Sequence, residues 1–221
     1  MSAAADPYLS PKNGATEIYL VRHADARPSA EETADGDYDA QRLSARGRIQ
    51  ALSAAARLAK RAPQAIYASP VLRAAETARI IGAACGKDVR SEDDLREVRI
   101  DQSKTAGADA INAFLVELST ILLTQGMWSA VPGAEDGAAV RARATAALAR
   151  IAAAHKGERL VVVSHGGTIN AFLAEALGVS RDYFVPVANA SISTVRVRDG
   201  RTLVLGINDA AHLEALPPDD V

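Results

Sequence analysis

The sequence is short of several things, and each scarcity removes a class of protein. A single cysteine, Cys85, among 221 residues excludes an intramolecular disulfide and fits a reducing compartment. No apolar run approaches the roughly 20 residues that a membrane-spanning helix needs. The opening stretch MSAAADPYLSPKNGA has neither a basic start nor a continuous apolar segment, so no signal peptide is visible and the expected location is cytoplasmic. Charge of one sign is missing as well. A net charge of −2 argues against a broad nucleic-acid or membrane-surface footprint. Attraction for an anionic small molecule then has to come from a local cluster.

What is present suits one α/β domain. Hydrophobic residues make up 48% of the chain and charged residues 24%, enough for an ordinary core and a soluble surface. Residues 1–15, broken by Pro7, Pro11 and Gly14, read as a loose tail, residues 16–208 as the domain, and residues 209–221 as a second tail. There is no internal repeat and no low-complexity linker.

Along the chain, Ile18-Tyr19-Leu20-Val21 is a continuous apolar run of the kind found in strands buried on both faces, and it stops at Arg22-His23. Residues 24–42 read as a loop. Ser44 is placed to cap a helix reaching about Arg61, with Ile49, Leu52, Ala56 and Ala59 on its inner face. Ala65–Ala68 reads as a second strand. Ser69-Pro70 then signals a helix start, hydroxyl cap first and proline in the first turn, with Val71, Ala74, Ala75, Ala78 and Ile81 on the apolar stripe.

Residues 97–136 form a helical insert carrying Ile111, Phe114, Leu115, Leu118 and Leu122 between Gly107 and Gly126, long enough to cover a site. A helix over about 137–154 turns Val140, Ala144, Ala147 and Ile151 inward. The strongest strand, Leu160–Val163, ends in Ser164-His165-Gly166-Gly167 and runs into a helix with Ile169, Phe172, Leu173 and Leu177, closed by Gly178. Ser191–Val197 and Arg201–Ile207 alternate around Asp199-Gly200, a hairpin signal. The expected fold is a three-layer α/β sandwich, a mostly parallel central sheet with helices on both faces.

In such sheets ligands bind beyond the carboxyl ends of the strands. Three of those ends carry chemistry here: Arg22-His23, Ser69-Pro70 with Arg73, and Ser164-His165. A phosphoryl group in transfer spreads charge over its equatorial oxygens, with nucleophile and leaving group in line. Arg22 and Arg73 offer planar forks for those oxygens. His165 adds a donor at a strand-to-helix turn, where the main-chain N–H groups of Gly166 and Gly167 also favour an anion. His23 can attack phosphorus through an unprotonated ring nitrogen, which the neighbouring arginines help to keep free. His155 and His212 show no such context.

Other phosphoryl- and acyl-transfer signatures fail. Cys85 has Arg90 five positions on, one short of Cys-x5-Arg, and Gly82–Lys87 is one residue short of a phosphate-binding loop. Ser164 lacks a Gly-x-Ser-x-Gly elbow, and the histidine spacing does not match zinc-binding helices.

Leu20-Val21-Arg22-His23, Ser69-Pro70 through Arg73-Ala74 and Glu76-Thr77-Ala78, and Val163-Ser164-His165-Gly166-Gly167 together resemble the histidine phosphatase, or phosphoglycerate-mutase-like, superfamily over residues 16–208. The resemblance implies that His23 is transiently phosphorylated and that Arg22, Arg73 and His165 hold the phosphoryl oxygens. It also implies that a glutamate after the third strand protonates the leaving oxygen; Leu95-Arg96-Glu97 is similar to that stretch and makes Glu97 the candidate acid. No metal and no cofactor are implied, and the partner is a small phosphate ester.

Leu43-Ser44 with Gly47 and Gln50-Ala51, Glu135 with Arg143, and Asn189 with Ser191 are similar to other family segments without implied chemistry. Where the commonest family motif continues with glycine, Ser/Thr and asparagine after the histidine, this chain has Ala24, Ala26 and Ser29. That points away from a phosphoglycerate mutase. Arg22-His23-Ala24 and Asp39 with Arg42-Leu43-Ser44 look more like the small phosphohistidine phosphatases, from which the insert and Glu97 set the chain apart. The reading is a metal-independent phosphomonoester hydrolase acting on a small phosphorylated metabolite or a phosphohistidine protein. Its alternatives are a mutase or a weakly active binding module, and the oligomeric state stays open.

Overall fold

The first strand, β1 (Thr16–Arg22), sends alternate side chains to opposite faces, and both faces are buried. Ile18 and Leu20 enter one core with Leu160 and Val162 of β4 (Arg159–Ser164), whereas Tyr19 and Val21 enter another with Val161 and Val163. This two-sided burial is why both segments read as unbroken apolar runs. The structure is a computed structural model that describes residues 14–26, 38–101 and 108–216. Ser29 and Gly107 lie outside the described residues.

The sheet runs β3 (Val89–Ser91), β2 (Ala65–Ala68), β4, β1, β5 (Ile192–Arg198), β6 (Arg201–Asp209). Parallel pairing joins β2 to β4, β4 to β1, and β2 to the edge strand β3. The hairpin of β5 and β6 continues the sheet antiparallel from β1. Its turn residues Asp199 and Gly200 both have positive φ, 50° and 74°, as a two-residue turn of matching twist requires.

One core lies under α1 (Ala45–Ala59) and α2 (Leu72–Cys85), the other under α4 (Gly137–Ala154) and α5 (Gly166–Leu177). The helix of the insert, α3 (Ala108–Gln125), adds Leu122 to a third cluster with Val98, Trp128, Val131, Val140 and Ala171. The three-layer α/β sandwich expected from the sequence is the observed one.

Three local readings change. The inner face of α1 is Gly47, Gln50, Ala51, Ala54, Ala55 and Leu58, while Ile49 and Leu52 are 45% and 60% exposed. Small residues face inward because α1 packs closely on α2 and on the segment after β1. A Cβ at Gly47 would overlap the Asp25 carbonyl, and Ala51 and Ala54 meet Ala24, so size and not hydrophobicity decides the face. Ser44 does cap α1, accepting from Gly47 N at 2.9 Å. Ser69 does not cap α2: the helix begins at Leu72 with Val71 at its cap and no side-chain cap bond. Leu177 is exposed at the end of α5.

The short β3 gave no signal in the sequence because it is a partly exposed edge of three residues. The second tail also opens with structure. Asp209 ends β6 and pairs with Arg57, and a turn at Ala211–Leu213 docks on α1, where Ser53 donates to the His212 carbonyl.

Candidate active site

Register brings the loaded residues together. Arg22 lies opposite Ser164, and Ala68 opposite Val163, so the next residue of each strand emerges at one edge of the sheet. His23 N donates to Ser164 O at 2.9 Å and Ser69 N to Val163 O at 3.0 Å, which extends the pairing one step past the strands. His23, His165, Arg73 and Ser69 are all buried there.

Two hydrogen bonds fix the tautomer of His23. Its Nδ1 lies 2.8 Å from the Ala24 carbonyl, which only accepts, so Nδ1 carries the proton. Arg73 Nε donates to Nε2 at 3.3 Å, leaving Nε2 as the lone-pair nitrogen. Burial, then the charges of Arg73 and Arg22, hold the His23 pKa well below its ordinary value, so the neutral ring prevails at neutral pH. The arginines act as the sequence reading expected, but burial is the larger cause.

His165 sits with its ring centroid 5.2 Å from that of His23, and its Nε2 pairs with Ser69 Oγ at 2.8 Å. The Ser69 hydroxyl therefore orients this histidine in place of capping a helix. Burial and the charge of Arg73 also push the His165 pKa well down. Arg22 Nη1 donates to Val187 O at 2.6 Å, and Gly166 lies beside the Arg22 side chain. Arg22 Nε and His165 Nδ1 are buried without a hydrogen-bond partner among the described residues. Buried polar groups of this kind mark the place of an absent acceptor or donor.

Glu97 is beside this cluster, not within it. Its Oε1 accepts from Val98 N at 2.9 Å and Thr168 N at 3.2 Å, and its Oε2 from Gly167 N at 3.2 Å. The main-chain donors of Gly167 and Thr168 at the start of α5 are thus taken by the Glu97 carboxyl group. Gly167 permits the approach: a Cβ there would lie 2.7 Å from both Glu97 Oε1 and Trp128 Cζ2. Arg143 secures the stretch, donating to the carbonyls of Asp94 and Arg96 at 2.8 Å and of Glu97 at 3.2 Å. Glu135 holds Arg143 through an ion pair at 3.0 Å. These two residues, quoted from the sequence without a role, position the candidate acid.

Several further residues contribute in roles that the sequence did not assign. Thr77 Oγ1 accepts from Ala24 N at 3.0 Å and donates to Arg73 O at 2.8 Å, tying the first motif to the second. Its spacing of four from Arg73, on one helix face, was the available signal. Asn189 Nδ2 donates to His23 O at 3.0 Å, and Ala190, at φ 57°, donates to the carbonyls of Arg22 and His23. Asp39 Oδ1 lies 3.6 Å from Arg73 Nη1. The contacts of Asn189, Ala190 and Asp39 have no local sequence signature, because each acts across the fold.

Asp39 and Glu97 both line a cavity of about 510 Å³ whose far wall is the insert. Arg22 opens on a neighbouring cleft of about 350 Å³ shared with Asp25, Arg46, Tyr183 and Asn189. A smaller cavity of about 200 Å³ between Thr16 and Gly200 lies at the opposite end of the sheet, far from these groups. Among the described residues no group of three or more His, Cys, Asp and Glu is gathered as a metal site, and no helix is long and apolar enough to cross a membrane.

The profile of the histidine phosphatase superfamily (branch 1) matches residues 18–210. The chain is 34% identical over 202 residues to phosphoglycerate mutase-like protein 4 of Arabidopsis thaliana, covering 90% of this chain and 87% of that one. Among solved structures it resembles the mycobacterial glucosyl-3-phosphoglycerate phosphatase, with TM-score 0.72, 26% identity, and 89% of this chain and 100% of that one covered. It also resembles Bacillus stearothermophilus YhfR, with TM-score 0.75, 25% identity and coverage of 90% and 100%. With the buried His23–Arg73–His165 cluster at converging strand ends, these likenesses establish that the chain belongs to the histidine phosphatase superfamily, branch 1, and is a phosphatase enzyme.

Proposed function

We propose that the enzyme hydrolyses phosphomonoesters without a metal, through a phosphohistidine on His23. The observation that carries this reading is the fixed tautomer of His23, with Nδ1–H bound to Ala24 O and the Nε2 lone pair beside Arg73. Nε2 forms the N–P bond as the ester P–O bond breaks. The Nδ1–H bond to the carbonyl steadies the positive charge that the ring then acquires.

Arg22, Arg73 and His165 take the equatorial oxygens, with Arg22 Nε and His165 Nδ1 finding acceptors there. Glu97 gives its proton to the departing oxygen and later takes one from the water that cleaves the phosphohistidine, releasing inorganic phosphate and neutral His23. Substrates are small phosphorylated molecules. The likeness to a phosphoglycerate mutase-like relative keeps one alternative, phosphate return to the same substrate.

The test is phosphate release from wild type and His23→Ala, with and without chelator and without any bisphosphate primer. The reading expects release by wild type unaffected by chelation and none by the variant. Normal release by His23→Ala would sink it, and a strict need for primer would favour the mutase.

A further inference from the structure

Arg73 is placed by α2 and by His23: its side chain is 1% exposed, its carbonyl accepts from Thr77 Oγ1 at 2.8 Å, and its Nε donates to His23 Nε2 at 3.3 Å. Asp39 adds a different element. Its Oδ1 stands 3.6 Å from Arg73 Nη1, too far for a good hydrogen bond and well within the reach of a charge. The carboxylate belongs to a single helical turn, Tyr38–Ala40, and the residues after it are anchored. Gln41 and Leu43 are buried, and Glu76 of α2 pairs with Arg42 at 3.0 Å and accepts from Leu43 N at 2.9 Å. A negative charge is thus held beside the guanidinium that takes the phosphoryl group on the proposed mechanism.

Such a charge discriminates between states of the reaction. A phosphate ester and free phosphate bring up to two negative charges to the Arg73 fork, whereas in a loose transition state that charge is spread and partly passed to the leaving oxygen. Repulsion by Asp39 is therefore strongest against bound substrate and bound product. A penalty on the bound states that is eased in the transition state raises kcat and KM together.

We propose that Asp39 is a repelling charge that keeps phosphate dianions from binding too tightly at Arg73 and so speeds release of the product. This rests on the phosphatase reading above and deepens it.

The test compares wild type, Asp39→Asn and Asp39→Glu, with inorganic phosphate as the probe. The Asp39 side chain is 45% exposed, so solvent screens its charge and the expected effect is about tenfold, below that of a buried pair. In Asp39→Asn, the dissociation constant of phosphate and the KM for a phosphomonoester should both fall about tenfold, with kcat falling alongside and kcat/KM staying within about threefold. Asp39→Glu keeps the charge and should stay near wild type. Added salt should narrow the gap between wild type and the Asn variant. Phosphate binding that is unchanged or weaker in Asp39→Asn would overturn the proposal, because a carboxylate that only steadies Arg73 strengthens phosphate binding. Equal tightening in Asp39→Glu, or a loss of kcat with KM unchanged, would overturn it as well. Calorimetric titration with phosphate needs no turnover and so separates this inference from the reading it rests on. Tighter binding in the Asn variant, with no phosphate released from any ester by wild type, would keep the repulsion and overturn the phosphatase reading.

Discussion

On the strand side of the site, polar groups are anchored to the main chain: His23 to Ala24 O, Arg22 to Val187 O, Thr77 to Arg73 O, and Asn189 to His23 O. On the insert side, across the same cavity, the lining is half-buried apolar side chains of α3, Phe114, Leu115 and Leu118, with no hydrogen bond of that kind. The first arrangement places atoms to fractions of an ångström, as chemistry demands. The second offers volume and apolar surface. On the proposed mechanism the first side holds the phosphoryl group, and the second bounds the space beside it.

The contrast breaks first at Arg73. Arg73→Ala removes the donor to His23 Nε2 and a fork on the phosphoryl group, and should lower kcat/KM about a thousandfold in steady-state assays. A change of less than tenfold would show that the strand side is not the rigid element.

Glu97→Gln should lose roughly a hundredfold or more with alkyl phosphates and much less with p-nitrophenyl phosphate, whose leaving group needs no proton. Equal losses would remove the acid role and leave Glu97 as an anchor of α5.

Acidification should lower the stability of the fold. Burial holds the pKa values of His23, His165 and His212 below the unfolded value, so below about pH 6.5 the unfolded chain binds more protons than the folded one. Stability is then full above that pH and is lost as pH falls toward the folded-state values, by up to about 1.4 kcal/mol per unit for each histidine. Urea midpoints measured between pH 7.5 and 5 check this, and a flat profile would contradict it. kcat/KM should keep its plateau below pH 6.5, because the His23 ring stays neutral there.

The smallest effects concern α1. Leu52→Gln should shift stability by no more than about 0.5 kcal/mol, whereas Ala54→Leu, at a position fully buried against Ala24 and Ala190, should cost about 1–3 kcal/mol. A reversal in thermal melts would restore the hydrophobic-face assignment.

That assignment shows where the sequence was readable and where it was not. β1, β4 and the Asp199-Gly200 hairpin were legible because two-sided burial and positive φ leave local marks. The α1 face misled because a close helix contact rewards alanine and glycine, which a search for large apolar residues passes over. In the site, Arg22, His23, Arg73 and His165 were legible from their place at strand ends. The role of Ser69, the seat of Glu97 on α5, and the part played by Asn189 and Thr77 depend on contacts between distant segments, which no local pattern records.

The most direct test of the central claim is to quench the enzyme during turnover of a labelled phosphomonoester and locate the label by mass spectrometry. The account predicts an acid-labile, alkali-stable phosphoryl group on His23, absent from His23→Ala. Full turnover with His23 never labelled, or with the label on another residue, would contradict it.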